Sequence, residues 1–333
     1  MQISPAYILM PSKQKKQKLL SFAMKDAFFD GITHDLVDYG YDLRFSLTGG
    51  AGAYKPYALA TERLDTPQKQ QQFSNGFWSM SESGAMKAQI QLSLLLGEGG
   101  NAHSFLHEIM HFHQDMQGLY FIPMKEDGLF PITLDAHSNI VSILFCEAWA
   151  QVEAIRTCWA LRDKGDPIGW NGAVQSPDWK DLARSYDADL QKGLDEARAA
   201  ANCFRRWYQG RHRVFYEKHA MNIYDLNFKR FAQDVDHISD ATVAEHLRSL
   251  DIPALIAHML KGSAPKFFSR IDWGDDAFQG VKNAQVAKRL DIVAQTYAAE
   301  HSPAIHEIKC GSPPYIWKRL RDAEIQTAEV PPH

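Results

Sequence analysis

The segment 88–100 constrains the fold of this chain more than any other stretch. Apolar residues at positions 88, 90, 92 and 94 alternate with polar residues at 89, 91 and 93, which is the period of a β-strand with one buried face. The alternation stops at glycines 97, 99 and 100, which predict a turn. Asn101 is then a suitable cap for a helix that extends to Gly118. The sequence therefore predicts a strand, a glycine turn and a helix in direct succession.

The predicted helix carries the segment HEIMH at residues 107–111. His107 and His111 lie four residues apart, so their imidazoles project from one face of the helix and can bind a single ion. Glu108 lies one step round the helix, where its carboxylate can accept a proton from water that a metal ion has made more acidic. Histidine ligands that leave a position open for water are typical of catalytic zinc. We therefore predict a Zn²⁺ site with Glu108 as the general base.

A catalytic zinc site normally takes three protein ligands. The continuation that supplies a third histidine in metzincins needs a glycine at position 114 and a histidine at position 117, where this chain has Gln114 and Gln117. A cysteine ligand from upstream, as in peptide deformylases, is excluded because no cysteine precedes Cys146. Glu147 is the better candidate. It lies on a predicted helix over 136–163 and emerges from an apolar stripe, where an ionised carboxylate needs a partner.

With HEIMH on one helix and Glu147 on a following helix, the chain resembles the gluzincin group of zinc metallopeptidases over residues 40–163. The resemblance is closer to the poorly characterised bacterial metallopeptidases of this group than to the secreted thermolysin-like enzymes. It implies a small mixed sheet whose edge strand, here residues 88–94, lies beside the active-site cleft and binds a protein or peptide substrate by strand addition. It also implies zinc-dependent hydrolysis of peptide bonds, in which Glu108 passes the proton of the attacking water to the leaving amine.

Two further residues near the motif have competing interpretations. His103 lies one turn before His107, but His103, His107 and His111 together extend over about 12 Å, too far for all three to meet one ion. We expect His103 to support the site, to face the substrate, or to be an ordinary surface histidine. Asp115 is four residues after His111 and can accept a hydrogen bond from its second ring nitrogen; a surface charge at the helix end is the alternative.

Two other polar residues of these helices are expected to lie away from the metal. His113 points to a different face from His107, so we predict a structural role for it. Glu153 lies six residues beyond Glu147 and beside Arg156. We predict that it forms an ion pair, either at the surface or behind the site.

Residues 205–224 form a dense cluster of basic and aromatic side chains. Enzymes of this type usually have a further donor that stabilises the oxyanion. The sequence leaves the choice open among five residues of the cluster: Arg211, His212, Tyr216, His219 and Tyr224. The cluster also suggests nucleic-acid binding through residues 205–213, but a net charge of −4 favours an amphipathic helix pair with a solvated basic face.

The overall composition is that of a globular protein with room for two domains. The chain has 333 residues, of which 45% are hydrophobic. We predict an α+β protein with a zincin-like domain over 1–165, built from a small mixed sheet and the active-site helix, and a mainly helical domain over 166–333.

Cysteine spacing and hydropathy bear on where the protein works. Four widely spaced cysteines without a Cys-x-x-Cys pair predict free thiols. The sequence has no recognisable signal peptide and no run of 18 apolar residues. We therefore expect no membrane association and predict a cytoplasmic location, with secretion by a leaderless route as the alternative.

The alternative function is that of a catalytically inactive zincin-fold protein, which binds metal as a sensor or as an interaction module. Glu108 argues against this alternative, because a purely structural metal site needs no base beside its ligands. The sequence therefore favours a zinc metallopeptidase.

Overall fold

The structure of the protein is a computed structural model. It describes residues 5–46, 52–58, 87–116, 133–134, 136–234, 247–250, 265–291 and 306–308. Within these residues most of the chain is helical, and two small three-stranded sheets complete the fold. The α+β class predicted from the sequence is confirmed.

The helices and strands have the following bounds. The helices are α1 (Pro5–Leu9), α2 (Ser12–Ala23), α3 (Ala27–Tyr39), α4 (Gly97–Met116), α5 (Ala136–Asp163), α6 (Ile168–Gln175), α7 (Lys180–Gln191), α8 (Glu196–Gln209) and α9 (Arg211–Asp234). The strands are β1 (Tyr41–Ser46), β2 (Gly52–Ala58), β3 (Lys87–Ser93), β4 (Thr133–Leu134), β5 (Leu247–Leu250) and β6 (His306–Ile308). Short 3₁₀ helices cover Leu94–Leu96 and Lys266–Arg270.

The first sheet is mixed and has the order β1-β3-β2. β3 pairs in parallel with β1, with Leu43 opposite Ile90, and antiparallel with β2, with Tyr54 opposite Ile90. Ile90 and Leu92 are fully buried, as the alternation predicted. The predicted edge position of residues 88–94 is wrong, because β3 is the central strand and a neighbour occupies each of its edges. Strand addition of a substrate to this segment is therefore excluded.

The junction between β3 and α4 also differs from the prediction. Gly97 alone makes the turn, with a φ of 67° at the end of the preceding 3₁₀ helix, and α4 begins there. Gly99, Gly100 and Asn101 are already helical, so Asn101 is not the cap. The glycines serve packing instead: a Cβ on Gly172 of α6 would lie 2.1 Å from the carbonyl of Gly99. Only a helix end without side chains can approach α6 this closely.

α5 matches the predicted bounds of 136–163. The helix ends at Asp163, and Gly165 follows with a φ of 91°, which favours glycine. The next residue, Asp166, donates its backbone N–H to the carbonyl of Leu161 at 2.9 Å. α4 is the most enclosed helix of its region, since every residue from 101 to 112 is buried. Polar side chains on this part of α4 therefore need partners within the protein or a ligand.

The chain divides into two compact units that follow no single cut in the sequence. The first contains residues 1–62, 80–115 and 147–207, and the second contains residues 63–79, 116–146 and 208–333. The first unit holds the mixed sheet and most helices; the second holds α9 and a parallel sheet of order β4-β5-β6. The two-domain division near residue 165 stays a prediction.

The described cysteines agree with the predicted free thiols. Cys146, Cys158 and Cys203 are buried free thiols, and Cys310 lies outside the described residues. Among the helices that the structure describes, none combines the length and apolar character required to cross a membrane.

Candidate metal centre

Two neighbouring helices of the first unit bring the three predicted ligands together. α4 presents His107 and His111 from one face, and Glu147 of α5 lies opposite them. His103 lies one turn before His107 on α4 and contacts Gln151, which lies one turn after Glu147 on α5. The two helices therefore run antiparallel. The i, i+4 spacing on one helix and a single carboxylate on the next are sufficient to build the group.

The donor atoms of these residues form a small triangle. Nε2 of His107 lies 3.1 Å from Nε2 of His111 and 3.3 Å from Oε2 of Glu147. Nε2 of His111 lies 3.5 Å from Oε1 of Glu147. Ligand atoms at 2.0–2.1 Å from a tetrahedral zinc ion are roughly 3.3–3.4 Å apart, so this triangle has the size of one face of such a tetrahedron.

The residues fit a divalent cation. Oε2 of Glu147 is buried and makes no hydrogen bond within the described part of the chain, which leaves an ionised oxygen facing the two imidazoles. Two imidazole nitrogens and a carboxylate are a common ligand set for zinc and for similar divalent ions. A cation between them would satisfy the carboxylate and both nitrogens at once.

Gln114 fixes the orientation of His111. Nδ1–H of His111 donates to Oε1 of Gln114 at 2.8 Å, and Gln114 is fully buried. This bond places a ring proton on Nδ1, so Nε2, which faces His107 and Glu147, is the nitrogen that would bind an ion. The prediction gave this role to Asp115, whose side chain lies outside the described part of the structure.

The electrostatics of the group favour a cation beside Glu147. Burial would raise the pKa of Glu147, but the imidazoles of His111 and His107 hold it well below its usual range. Burial would lower the pKa of His111, but the Glu147 carboxylate raises it to about 9, with a smaller contribution from Glu108. The site therefore stabilises positive charge at the point where the three donor atoms meet.

Glu108, the predicted general base, is close to this group and is only 4% exposed. Its charge raises the pKa of His111, so its carboxylate lies within electrostatic reach of the donor triangle. That location is compatible with proton transfer at the site.

His103 does not behave as a surface histidine. It is 2% exposed, and Gln151 of α5 donates from Nε2 to its Nε2 at 3.0 Å. Burial, with a smaller contribution from His107, lowers the pKa of His103 to about 3, so its ring is neutral. His103 is not one of the three residues whose ligand atoms converge. The surface alternative is wrong, and a role in support of the site remains.

His113 and Glu153 are both structural. His113 packs edge-on against Phe28 and Trp149, with ring centroids 5.4 and 6.2 Å apart, as its predicted structural role requires. Glu153 pairs with Arg156 at 2.7 Å, which confirms the predicted ion pair. The surface location is wrong, because the Glu153 side chain is fully buried.

The five candidates for an oxyanion donor lie on α9, in the second unit. Tyr224 is buried, whereas Arg211 and His219 are exposed. Their catalytic role stays a prediction, as does the solvated basic face that the sequence favours over nucleic-acid binding for residues 205–213.

Sequence reasoning missed Trp179. This residue precedes α7 and is 7% exposed, and its ring lies over His107 with centroids 6.3 Å apart and an interplanar angle of 24°. No motif or spacing connects a tryptophan in a helix connection to a histidine so far upstream, so the sequence carried no signal for this contact.

Comparison with known proteins connects part of the chain to a described family. Residues 79–238 match the family model described as "Putative metallopeptidase family (DUF6782)". The matched segment contains His107, Glu108, His111 and Glu147. No curated protein and no solved structure matches the chain. The family match and the three-residue group together support a metal-dependent peptidase at the level of that description.

Proposed function

We propose that this protein is a zinc metallopeptidase of the gluzincin type, which hydrolyses peptide bonds in a protein or peptide substrate. The observation that carries the proposal is the triangle of donor atoms from His107, His111 and Glu147, with sides of 3.1, 3.3 and 3.5 Å. Zinc is the ion of choice because two imidazoles and one carboxylate leave a fourth tetrahedral position open for water.

The three ligands and Gln114 prepare the site before any substrate binds. Gln114 holds His111 in the tautomer that presents Nε2 to an ion, and Oε2 of Glu147 has no hydrogen-bond partner among the described residues. Zinc held there would supply Lewis acidity, which lowers the pKa of water toward neutrality and polarises a peptide carbonyl.

Glu108 supplies the proton transfer. Its carboxylate accepts a proton from the attacking water and passes it to the amine of the leaving peptide, so that one group serves as base and then as acid. A carboxylate without a ligand role next to the ligands is what distinguishes a catalytic site from a structural one.

Metal content and hydrolysis, measured on the same purified proteins, test this proposal. The full chain and the variants Glu108→Gln and His111→Ala are reconstituted with Zn²⁺, analysed by mass spectrometry for zinc, and incubated with a quenched fluorescent peptide library. We expect about one zinc in the wild type. Glu108→Gln should keep the zinc and lose hydrolysis by roughly 10²–10⁴-fold. His111→Ala should lose both.

Three results would contradict the proposal. Full hydrolysis by Glu108→Gln would show that another group is the base. A wild type that binds zinc but cleaves no peptide in the library would favour the alternative of a metal-binding sensor or interaction protein with this fold. Wild type without stoichiometric zinc would remove the metal site itself.

A further inference from the structure

The two histidines of the motif are held in different ways. The second ring nitrogen of His111 donates to Gln114 at 2.8 Å. The corresponding Nδ1 of His107 is buried and has no hydrogen-bond partner among the residues that the structure describes. A histidine that binds a metal is usually oriented through its other ring nitrogen. Among the described residues, the contacts that can orient His107 are therefore those of its ring faces and edges.

Two aromatic rings provide that contact. The His111 ring meets His107 edge-on, with centroids 4.7 Å apart and an interplanar angle of 88°. The Trp179 ring lies nearly parallel to His107, at 24° and 6.3 Å. His107 is therefore packed between one edge-on ring and one nearly parallel ring. The position of His107 Nε2 in the donor triangle thus depends on its packing partners.

Hydrogen bonds of the surrounding backbone hold the main chain of Trp179 in place. Its carbonyl accepts from Ala183 at the start of α7, and Lys180 donates to the carbonyl of Ser176 at 3.1 Å. The Ser176 hydroxyl accepts from the backbone of Asp178 at 3.2 Å. The segment 176–180 is a closed turn, and the tryptophan it carries is 7% exposed. Such a residue can restrain a neighbour because it has little freedom of its own.

We propose that Trp179 is a positioning residue that stacks on His107 and holds its Nε2 toward the metal. This inference rests on the proposed metal site. The face of an indole ring is electron-rich, so it favours an imidazole that shares the positive charge of a bound cation over a neutral one. Trp179 therefore stabilises the metal-loaded form in addition to orienting the ring. With Trp179 in this role, the region beyond residue 165 contributes directly to the site.

Cobalt is a suitable probe, because Co²⁺ takes similar ligands to zinc and absorbs visible light. The full chain is titrated with Co²⁺ alone in four forms: wild type, Trp179→Leu, Trp179→Phe and the matched control Trp170→Phe. Trp170 is also buried, at 6% exposure, but its ring lies under the Arg162 guanidinium, 4.9 Å away. The measurements are Co²⁺ affinity, the visible absorption of the bound ion, tryptophan emission, and the unfolding midpoint without metal.

We expect Trp179→Leu to bind Co²⁺ roughly 10–100-fold more weakly, the range found when the support of a metal ligand is removed, and to change the visible spectrum. Trp179→Phe keeps an aromatic face and should recover most of the affinity. Bound Co²⁺ should quench less of the tryptophan emission in Trp179→Phe than in Trp170→Phe. Trp170→Phe should match the wild type in affinity and spectrum.

The outcomes separate this inference from the proposed function. If the wild type binds Co²⁺ and Trp179→Leu binds it equally well with an unchanged spectrum, Trp179 does not position the ligand. If Trp179→Leu does not fold, the emission of Trp179→Phe decides: quenching equal to that of Trp170→Phe would place Trp179 away from the metal. A wild type that binds no Co²⁺ would overturn both the metal site and this inference.

Discussion

Each unit of the molecule places a glutamate beside basic residues of a helix, and the two clusters are built differently. In the first unit Glu147 faces His107 and His111, and one of its oxygens makes no hydrogen bond among the described residues. In the second unit Glu217 pairs with Arg213 four residues earlier on α9, and both side chains are buried.

The cluster of the second unit is closed, because the protein itself satisfies its charges. Glu217 accepts from Arg213 Nε at 2.8 Å and from the backbone N–H groups of Lys282 and Asn283 at 3.0 and 2.6 Å. Arg213 donates to three backbone carbonyls of the same segment, those of Ala277, Gln279 and Gly280. The pair joins α9 to residues 277–283, and both oxygens of the carboxylate are occupied by donors of the protein.

The cluster of the first unit is open. Its donor atoms converge on a point, and a cation at that point would complete them. The two clusters also differ in what happens when the carboxylate is removed: arginine cannot lose its charge at ordinary pH, whereas His111 can become neutral. Burial of charge alone therefore does not identify a site. The informative feature is a converging group of ligand atoms, one ionised oxygen and the imidazole nitrogens, that a cation would satisfy.

The largest effect on stability is expected from Glu217→Gln. This change leaves the Arg213 charge buried without its counter-ion, and breaking a buried ion pair in this way typically costs about 3–5 kcal/mol. The free energy of unfolding of the metal-free chain, from urea denaturation, measures the loss. Zinc content should not change, because the closed cluster contributes nothing to the donor triangle.

Glu147→Gln is the matched control for this comparison. The same substitution in the open cluster should cost the metal-free chain less, because His111 releases its proton and no charge is stranded. Replacing both partners of the closed pair, in Arg213→Met with Glu217→Leu, should restore much of the lost stability. Equal losses for Glu217→Gln and Glu147→Gln would break the distinction between closed and open clusters.

Gln114 supports the open cluster, and its replacement is expected to have the next largest effect. Gln114→Leu removes the acceptor of His111 Nδ1–H, so the ring loses its fixed tautomer and a buried donor is left unpaired. We expect the affinity for Zn²⁺ to fall roughly 10–100-fold, as measured by competition with a chelator. Gln114→Glu keeps an acceptor in place and should bind zinc at least as well as the wild type. Wild-type affinity in Gln114→Leu would mean that the tautomer is fixed by other contacts.

The parts of the site that the sequence predicted are those that depend on local geometry. His107 and His111 converge because the helical period brings residues four apart to one face, and Glu147 was found because it interrupts an apolar stripe of a helix whose bounds, 136–163, were correct. Gln114 was within reach of the same argument, since residues three apart also meet on a helix, but the prediction chose Asp115 at spacing four.

The parts that the sequence did not predict depend on contacts between distant segments. The alternation of residues 88–94 identified β3 but carried no information on its neighbours, so its central position was mistaken for an edge. Glycines 97, 99 and 100 suggested a turn, whereas the last two begin a helix that packs closely on Gly172. Trp179 reaches His107 only because the first unit brings α4 next to the start of α7.

The smallest effect is expected at the pair of His103 and Gln151, which is intermediate between the open and closed clusters. Gln151 donates to His103, but its own Oε1 is buried without a partner among the described residues. Gln151→Met removes both the bond and the unpaired oxygen, so the two effects partly offset each other. We expect a loss of about 1 kcal/mol in the free energy of unfolding and an unchanged zinc affinity. The opposite result is unchanged stability with roughly tenfold weaker zinc binding. It would assign the pair to the open cluster, because the neutral ring of His103 would then act on His107 directly and not through the packing of α4 on α5.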